Sequence, residues 1–315
     1  MSVRSKKVLF YSTYPILSAI ILLIVLEFIV RLLFPQINYQ GNQMSLFVEN
    51  KFHKTMGLKP NATGEFFGKE ISTDDFGFRK MKIPQNFNES WLFLGDSVTF
   101  GVGVDTDKIF PQLIQNRFQT IRILNTALVG YSTINYLDIV ETILPEHDDI
   151  RKIVLFFCLN DIYGNLNLTP NNISMKEKIL SFLRSNSKLY MLLKKSFFDR
   201  SKTYALYDIG LYNDRNYNTE RYLNAIVKIK SISDKYGIDF LVVILPYEYQ
   251  LRMNGLKAPQ QFLKDFLTKK SIHFIDLYDD FTLLNSEDYF LYGDPMHLSP
   301  VGHKAVAQKL SEILK

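Results

Sequence analysis

One cysteine among 315 residues excludes an internal disulfide, so the chain must be stable without covalent cross-links. The five histidines include no pair at zinc-ligand spacing with a carboxylate between them, and we expect no catalytic metal and no cofactor. No Gly-Lys-Ser or Gly-Lys-Thr follows a strand pattern, which argues against a phosphate-cradling nucleotide loop. Low-complexity tracts and internal repeats are absent too. Charge is modest: charged residues make up 22%, hydrophobic ones 47%, and the net charge is +5. That balance is globular, and its mild basicity describes a solvated surface rather than a nucleic-acid-binding one.

Lys and Arg are missing from residues 35–50, which bears on the N-terminus. Residues 8–26 are 19 consecutive uncharged residues, followed by Glu27 and then a further apolar run through Leu32-Leu33-Phe34. About 20 apolar residues suffice to span a bilayer. Arg4, Lys6 and Lys7 precede the run, so the positive-inside rule puts residues 1–7 in the cytoplasm, an anchor at 8–34 and the rest outside. Glu27 and Arg31 are four apart and can pair on one helix face at the far interface. A cleaved signal peptide competes with this reading, but no small-x-small cleavage pattern follows the run. Residues 35–90 read as a polar, irregular membrane-proximal stalk and lead-in, punctuated by Pro60, Gly64, Gly68 and Pro84. The sequons at Asn61, Asn88, Asn167 and Asn172 matter only in a glycosylating pathway.

From Trp91 onward, short apolar runs alternate with amphipathic patterns. Strands are predicted over 91–94, 121–125, 153–158, 240–245 and 273–277. Helices are predicted over 109–118, 134–144, 220–236, 259–269 and 300–314. The alternation predicts a three-layer, doubly wound α/β domain over 91–315. One connection, residues 160–219, is too long for a simple crossover and is a candidate lid or substrate-binding insertion. It holds a helical pattern over 174–198 and then a Tyr/Asn-rich tail. Its bases, Lys176, Lys178 and Arg184 among them, alternate with Leu and Phe as in a membrane-surface helix. A packed helix with a basic outer face accounts for the same pattern and is the commoner source of it.

Gly95-Asp96-Ser97 closes the first strand, at the sheet edge where open α/β folds bind ligands. Ser97 there is either a helix cap or an exposed nucleophile. Gly130 follows the second strand and Asn160-Asp161 the third, at the same edge. Taken singly, Gly130 is a turn glycine and Asn160 a helix cap. Taken together, the N–H groups of Ser97 and Gly130 and the amide of Asn160 could form a three-donor oxyanion hole. Asp294-Pro295-Met296-His297 supplies a base with a carboxylate three residues earlier to hold its tautomer.

Four such blocks in this order resemble the Ser-Gly-Asn-His hydrolases, also called the GDSL family, over residues 91–315. The resemblance implies Ser97 as nucleophile, His297 as general base and then acid, and Asp294 as its orienting carboxylate. It further implies an oxyanion hole of Ser97, Gly130 and Asn160, and a flavodoxin-like fold with a five-stranded parallel sheet. One departure is Cys158, where the third block usually has glycine; it removes no donor, and otherwise reads as a buried small hydrophobe. Asp96 and Asp161 read as loop braces, and His303, just after Pro300, as a structural residue in the first turn of the last helix. Pro246-Tyr247-Glu248, after the fourth strand, is a pocket candidate by position only.

The function expected is a membrane-anchored, extracytoplasmic serine esterase, acting on a carboxylic ester such as an O-acetyl group of a cell-envelope glycan. Two alternatives use the same chain. One is an acyltransferase passing the acyl group from Ser97 to a glycan hydroxyl; the other is a non-catalytic glycan-binding or assembly factor.

Overall fold

A strand buried on both faces needs an apolar side chain at nearly every position, and its parallel neighbours need crossover helices. The sequence meets both conditions from Glu89 onward. A computed structural model describes residues 3–41, 44–50, 53–163, 174–214, 217–281 and 285–314. Residues 1–2 of the basic N-terminus, the sequons at Asn167 and Asn172 and the first part of the insertion lie outside the described residues.

In chain order, helix α1 (Val3–Leu33) is followed by two hairpins, β1 (Phe47–Asn50) with β2 (His53–Leu58) and β3 (Thr63–Phe66) with β4 (Lys69–Ser72). Then come β5 (Glu89–Leu94), α2 (Ser97–Phe100), α3 (Phe110–Gln115), β6 (Ile121–Asn125), α4 (Thr133–Ile143) and β7 (Ile150–Phe157). The insertion carries α5 (Met175–Asn186), α6 (Lys188–Phe197) and α7 (Arg200–Asn213). The domain ends with α8 (Thr219–Tyr236), β8 (Asp239–Ile244), α9 (Glu248–Met253), α10 (Ala258–Lys269), β9 (His273–Asp276) and α11 (Pro300–Ile313).

The sheet is five-stranded, wholly parallel and ordered β6-β5-β7-β8-β9. Its order reverses between β5 and β7, so the loops after those two strands flank the crevice where such folds hold ligands. Phe93 of β5 packs on Phe156 of β7 at 5.0 Å between ring centroids, and Phe110 of α3 covers Phe156 at 4.6 Å. Each such ring, removed from water, contributes roughly 2–3 kcal/mol.

Three segments differ from the sequence expectation. Residues 47–50 pair with 53–58, and 63–66 with 69–72, as antiparallel strands instead of irregular structure, and Leu58, Phe66, Phe67 and Ile71 enter the main core. The β3–β4 turn has positive φ at both central residues, Phe67 (+50°) and Gly68 (+74°), which is primed-turn geometry without the usual Asn-Gly signal. The helix expected over 174–198 is broken at Ser187, which takes an extended conformation and caps α6 by accepting from the Tyr190 N–H. The Tyr/Asn-rich tail forms α7, because Ala205, Asp208, Ile209 and Tyr212 share one buried helical face.

Helix α1 is long and apolar enough over Thr13–Leu33 to cross a membrane, and nearly all of that stretch is exposed.

Candidate active site

The turn after β5 is built by close approach. At Gly95 a Cβ would lie 2.2 Å from Thr99 Oγ1 and 2.5 Å from Thr99 Cβ, so only glycine lets α2 begin this close to the strand. Asp96 caps α2, its Oδ1 accepting from the Val98 N–H at 2.9 Å, and this sets Ser97 at the first helical position. The far side of the loop is held by buried Arg79, which donates to the carbonyls of Phe100 (2.8 Å), Gly101 (2.7 Å) and Val104 (2.6 Å). Burial pulls the Arg79 guanidinium down to about 10, so it stays charged at neutral pH. Arg79 lies in the segment read as lead-in, where no sequence signal marked it.

The loop before α11 brings His297 to this turn from 200 residues away. Its Nε2 lies 2.8 Å from Ser97 Oγ. Its Nδ1 lies 2.9 Å from Asp294 Oδ1, a contact that becomes an ion pair when the imidazole takes a proton. The same oxygen accepts the backbone N–H groups of Met296 (3.1 Å) and His297 (2.9 Å), which fixes the carboxylate to the turn it orients. Arg200 of α7 approaches the other oxygen at 3.4 Å. Burial alone would raise the Asp294 pKa, but the charges of His297 and Arg200 reverse this and hold it well below the usual carboxylate range. The Phe67 ring stands edge-on to the imidazole at 5.2 Å. A bulky residue at positive φ costs about 1–3 kcal/mol, and this one sits against His297, where such strain commonly gathers.

Asn160 follows β7, and its Nδ2 donates to Asp96 Oδ2 at 3.2 Å, which ties it to the residue next to Ser97. Its Oδ1 lies 3.2 Å from the Tyr247 hydroxyl, which is also 2.6 Å from Asp208 Oδ2. A hydroxyl has one proton to donate. If it goes to Asn160, Asp208 must donate to Tyr247 and therefore be protonated. Burial raises the Asp208 pKa against the pull of its hydrogen bonds from Tyr247 and Tyr163, in keeping with that arrangement. Behind Asn160, Asp161 accepts from the Cys158 N–H (2.9 Å) and the Tyr136 hydroxyl (2.8 Å), and burial pushes its carboxyl well up. Asp96 is raised by burial as well. Both residues brace loops, the role their positions suggested. Replacing Tyr247 by Phe strands Asn160 Oδ1 and an Asp208 oxygen, so we expect a loss of about 1–3 kcal/mol, read by urea unfolding.

Gly130 lies in the loop after β6, at φ +80°, and the neighbouring Leu128 N–H bonds to the Gly95 carbonyl at 3.2 Å. That left-handed backbone favours glycine. Cys158 is buried and free. Tyr247, flagged by position, lies behind Asn160 rather than facing the crevice, while Glu248 lines a cavity of about 750 Å³ beside Asp294. Lys195, Phe198 and Arg200 of the insertion and Pro35 and Gln36 beyond α1 line the same cavity.

His303 is structural: fully buried, its Nδ1 accepts from the Phe110 N–H at 3.1 Å. Burial, with the charge of Arg79 nearby, pulls it down to about 3 from the ordinary 6.5. The unfolded chain therefore binds a proton there between those values while the folded one does not. Stability from His303 is complete above about pH 6.5 and is lost as the pH falls toward 3. Between pH 7 and 4.5 this amounts to about 2–3 kcal/mol, and His303→Gln should lose that part of the slope in urea unfolding. The wild-type comparison cancels the opposite contribution of the buried aspartates.

Residues 93–305 match the GDSL-like Lipase/Acylhydrolase family. No curated protein matches the chain. Similar solved structures include a lipolytic protein of the G-D-S-L family from Desulfitobacterium hafniense, at 14% identity and TM-score 0.45, covering 72% of this chain and 99% of that one. Another is the acetylxylan esterase Axe2 from Geobacillus stearothermophilus, at 15% identity and TM-score 0.44, covering 72% of this chain and 94% of that one. With two thirds of its length matched, and a strand-end serine in contact with a histidine, the chain belongs to the GDSL-like lipase/acylhydrolase family and is a serine hydrolase acting on esters.

Proposed function

We propose that the chain is a membrane-anchored, extracytoplasmic esterase that works through an acyl-Ser97 intermediate. The observation that carries this reading is the relay Ser97 Oγ–His297 Nε2 at 2.8 Å with His297 Nδ1 at 2.9 Å from Asp294. Ser97 Oγ attacks the ester carbonyl as its proton passes to His297 Nε2, and Asp294 stabilises the imidazolium. The oxyanion is held by the N–H groups of Ser97 and Gly130 and by Asn160 Nδ2, each donor worth about 3–4 kcal/mol in the transition state. Collapse breaks the ester C–O bond, and the leaving alcohol takes the proton from Nε2. Water then adds, giving a proton to Nε2, and the second collapse releases the acid and reprotonates Ser97.

Residues 8–34 are the anchor, with 1–7 cytoplasmic. Residues 91–315 carry the chemistry, and 35–90 join the two, their hairpins packing on the catalytic core. The substrate class we assign is an acylated cell-envelope glycan, because an anchor of this orientation turns the domain toward the envelope. The polar and charged groups around the cavity beside Asp294, Lys195, Arg200, Glu248 and Arg252 among them, suit a hydroxyl-rich ligand. Passage of the acyl group from Ser97 to a glycan hydroxyl in place of water is the second outcome open to the same intermediate.

The test is to label the full chain in detergent with a fluorophosphonate probe. Label on Ser97, lost in Ser97→Ala and much reduced in His297→Ala, is expected; no label on the folded chain refutes the mechanism. Incubation with an O-acetylated glycan then separates acetate release from acetyl transfer. Protease accessibility of a C-terminal tag in sealed vesicles of known sidedness checks the orientation.

A further inference from the structure

Helix α5 has no buried residue, and among the described residues it packs broadly against no element beyond its corner with α6. Met175 (72% exposed), Ile179 (54%) and Phe182 (65%) are spaced i, i+4, i+7, so they form one apolar stripe that no described residue packs over. Lys176 and Lys178 are exposed beside it. In water such a face is unfavourable, and a packed helix with a basic outer side would hide it. Among the described residues nothing covers this stripe, whereas Leu180 and Leu183 of α5 are half-buried and α6 packs through Met191.

What covers the stripe follows from where α5 is fastened. The uncharged run 8–26 is 19 residues, about 28 Å of helix at 1.5 Å per residue, which matches a hydrocarbon core of about 30 Å. Glu27 is the first charged residue after that run, toward the outer end of the anchor. Its carboxylate accepts from Ser187 Oγ (2.7 Å) and from the N–H groups of Lys188 (3.0 Å) and Leu189 (2.9 Å), so it caps the start of α6. Arg31 donates to Glu27 (2.7 Å) and to the Asn186 carbonyl (2.7 Å), the last residue of α5. The corner between α5 and α6 is thus bolted to the outer end of the span. From that corner α6 runs on past Val30 and Ile37 toward Gln40, where Lys194 donates to the side chain at 3.1 Å. Helix α6 therefore leads away from the span, while the last turn of α5 stays at that corner: the chain bends at extended Ser187, and the Arg184 carbonyl accepts from the Gln40 N–H at 3.0 Å.

We propose that α5 docks on the outer surface of the bilayer that α1 crosses, its Met175–Ile179–Phe182 stripe among the acyl chains and its lysines at anionic headgroups. This rests on the anchor reading above. Docking holds the domain against the membrane, with the cavity beside Asp294, whose lining includes Pro35 and Gln36, close to the surface. Substrates borne at that surface then reach the site without leaving it.

The experiment uses the full chain in vesicles with an environment-sensitive fluorophore on a single introduced cysteine, native Cys158 being buried. The variants are Ile179→Cys on α5, Leu17→Cys in the span, and Glu146→Cys before β7, at the sheet edge opposite the site. Fluorophosphonate labelling of Ser97 certifies that each is folded. With brominated lipids, we expect at least two-fold quenching at 17 and 179 and none at 146, with more at 179 in phosphatidylglycerol than in phosphatidylcholine. Lys176→Glu combined with Lys178→Glu should remove that lipid preference. Quenching at 17 without quenching at 179 overturns the docking and leaves the anchor standing. No quenching at 17 overturns the anchor, and the docking with it; equal quenching at 146 and 179 shows a collapsed domain and also overturns it.

Discussion

Replacing Ser97 by alanine is expected to lower kcat about 10⁵- to 10⁶-fold on a chromogenic acetate ester, with KM nearly unchanged. The reason is geometric. Ser97 Oγ lies 2.8 Å from His297 Nε2, and alanine removes the hydroxyl that this nitrogen contacts. Each factor of ten is about 1.4 kcal/mol of barrier, so the loss corresponds to roughly 7–8 kcal/mol. His297→Ala should cost about as much, and the double variant little more, because a nucleophile without its base and a base without its nucleophile are equally idle. A measured drop below about 100-fold in Ser97→Ala would reject the covalent mechanism. Folding is not at issue, since the alanine removes one hydroxyl from a helix whose cap comes from Asp96.

The second large effect is expected in Asp294→Asn, at about 10³- to 10⁴-fold in kcat. The amide oxygen can still accept from the Met296 and His297 N–H groups, so the turn keeps its shape. What disappears is the negative charge 2.9 Å from Nδ1 that, in the proposed mechanism, stabilises the imidazolium as the proton leaves Ser97. The amide nitrogen must also face either His297 or Arg200, a donor against a donor. Stability carries a separate signature. Because the folded pKa of Asp294 lies below the unfolded value near 4, the carboxylate stabilises the fold above that pH. This contribution is lost as the pH falls through the folded value, so the variant should be the less stable protein at pH 7 and lose part of that gap in acid. Loss of kcat with unchanged urea unfolding at pH 7 would contradict the linkage, and unchanged kcat would contradict the role.

Much of the sheet was legible because each parallel strand must satisfy two covered faces at once, and few sequences other than Ile153-Val154-Leu155-Phe156-Phe157 do so. Helix α4 showed in the same way, through a period fixed by the helix itself. The β3–β4 hairpin was not legible, since its turn places Phe67 at positive φ instead of an Asn or Gly, and only packing on His297 and the core holds it there. Helix α7 carried its signal in the spacing of Ala205, Asp208, Ile209 and Tyr212, but a buried aspartate among them breaks the apolar stripe. That aspartate has its reason in Tyr247 and Tyr163, which no local pattern joins to it.

By itself, the sequence determined the strand ends that carry Ser97, Gly130 and Asn160, the loop that carries Asp294 and His297, and a run long enough to cross a bilayer. These are local matters of period, turn chemistry and length. The tertiary structure alone decided how Asn160 is aimed, through Tyr247 at a separation of 87 residues, and how the Ser97 loop is pinned by Arg79. It also decided that Glu27 caps a helix 160 residues further on and that, among the described residues, the apolar face of α5 is left exposed. A hydrogen bond depends on where the chain returns, and that path is set by the sum of all packing rather than by the residues on either side of the bond.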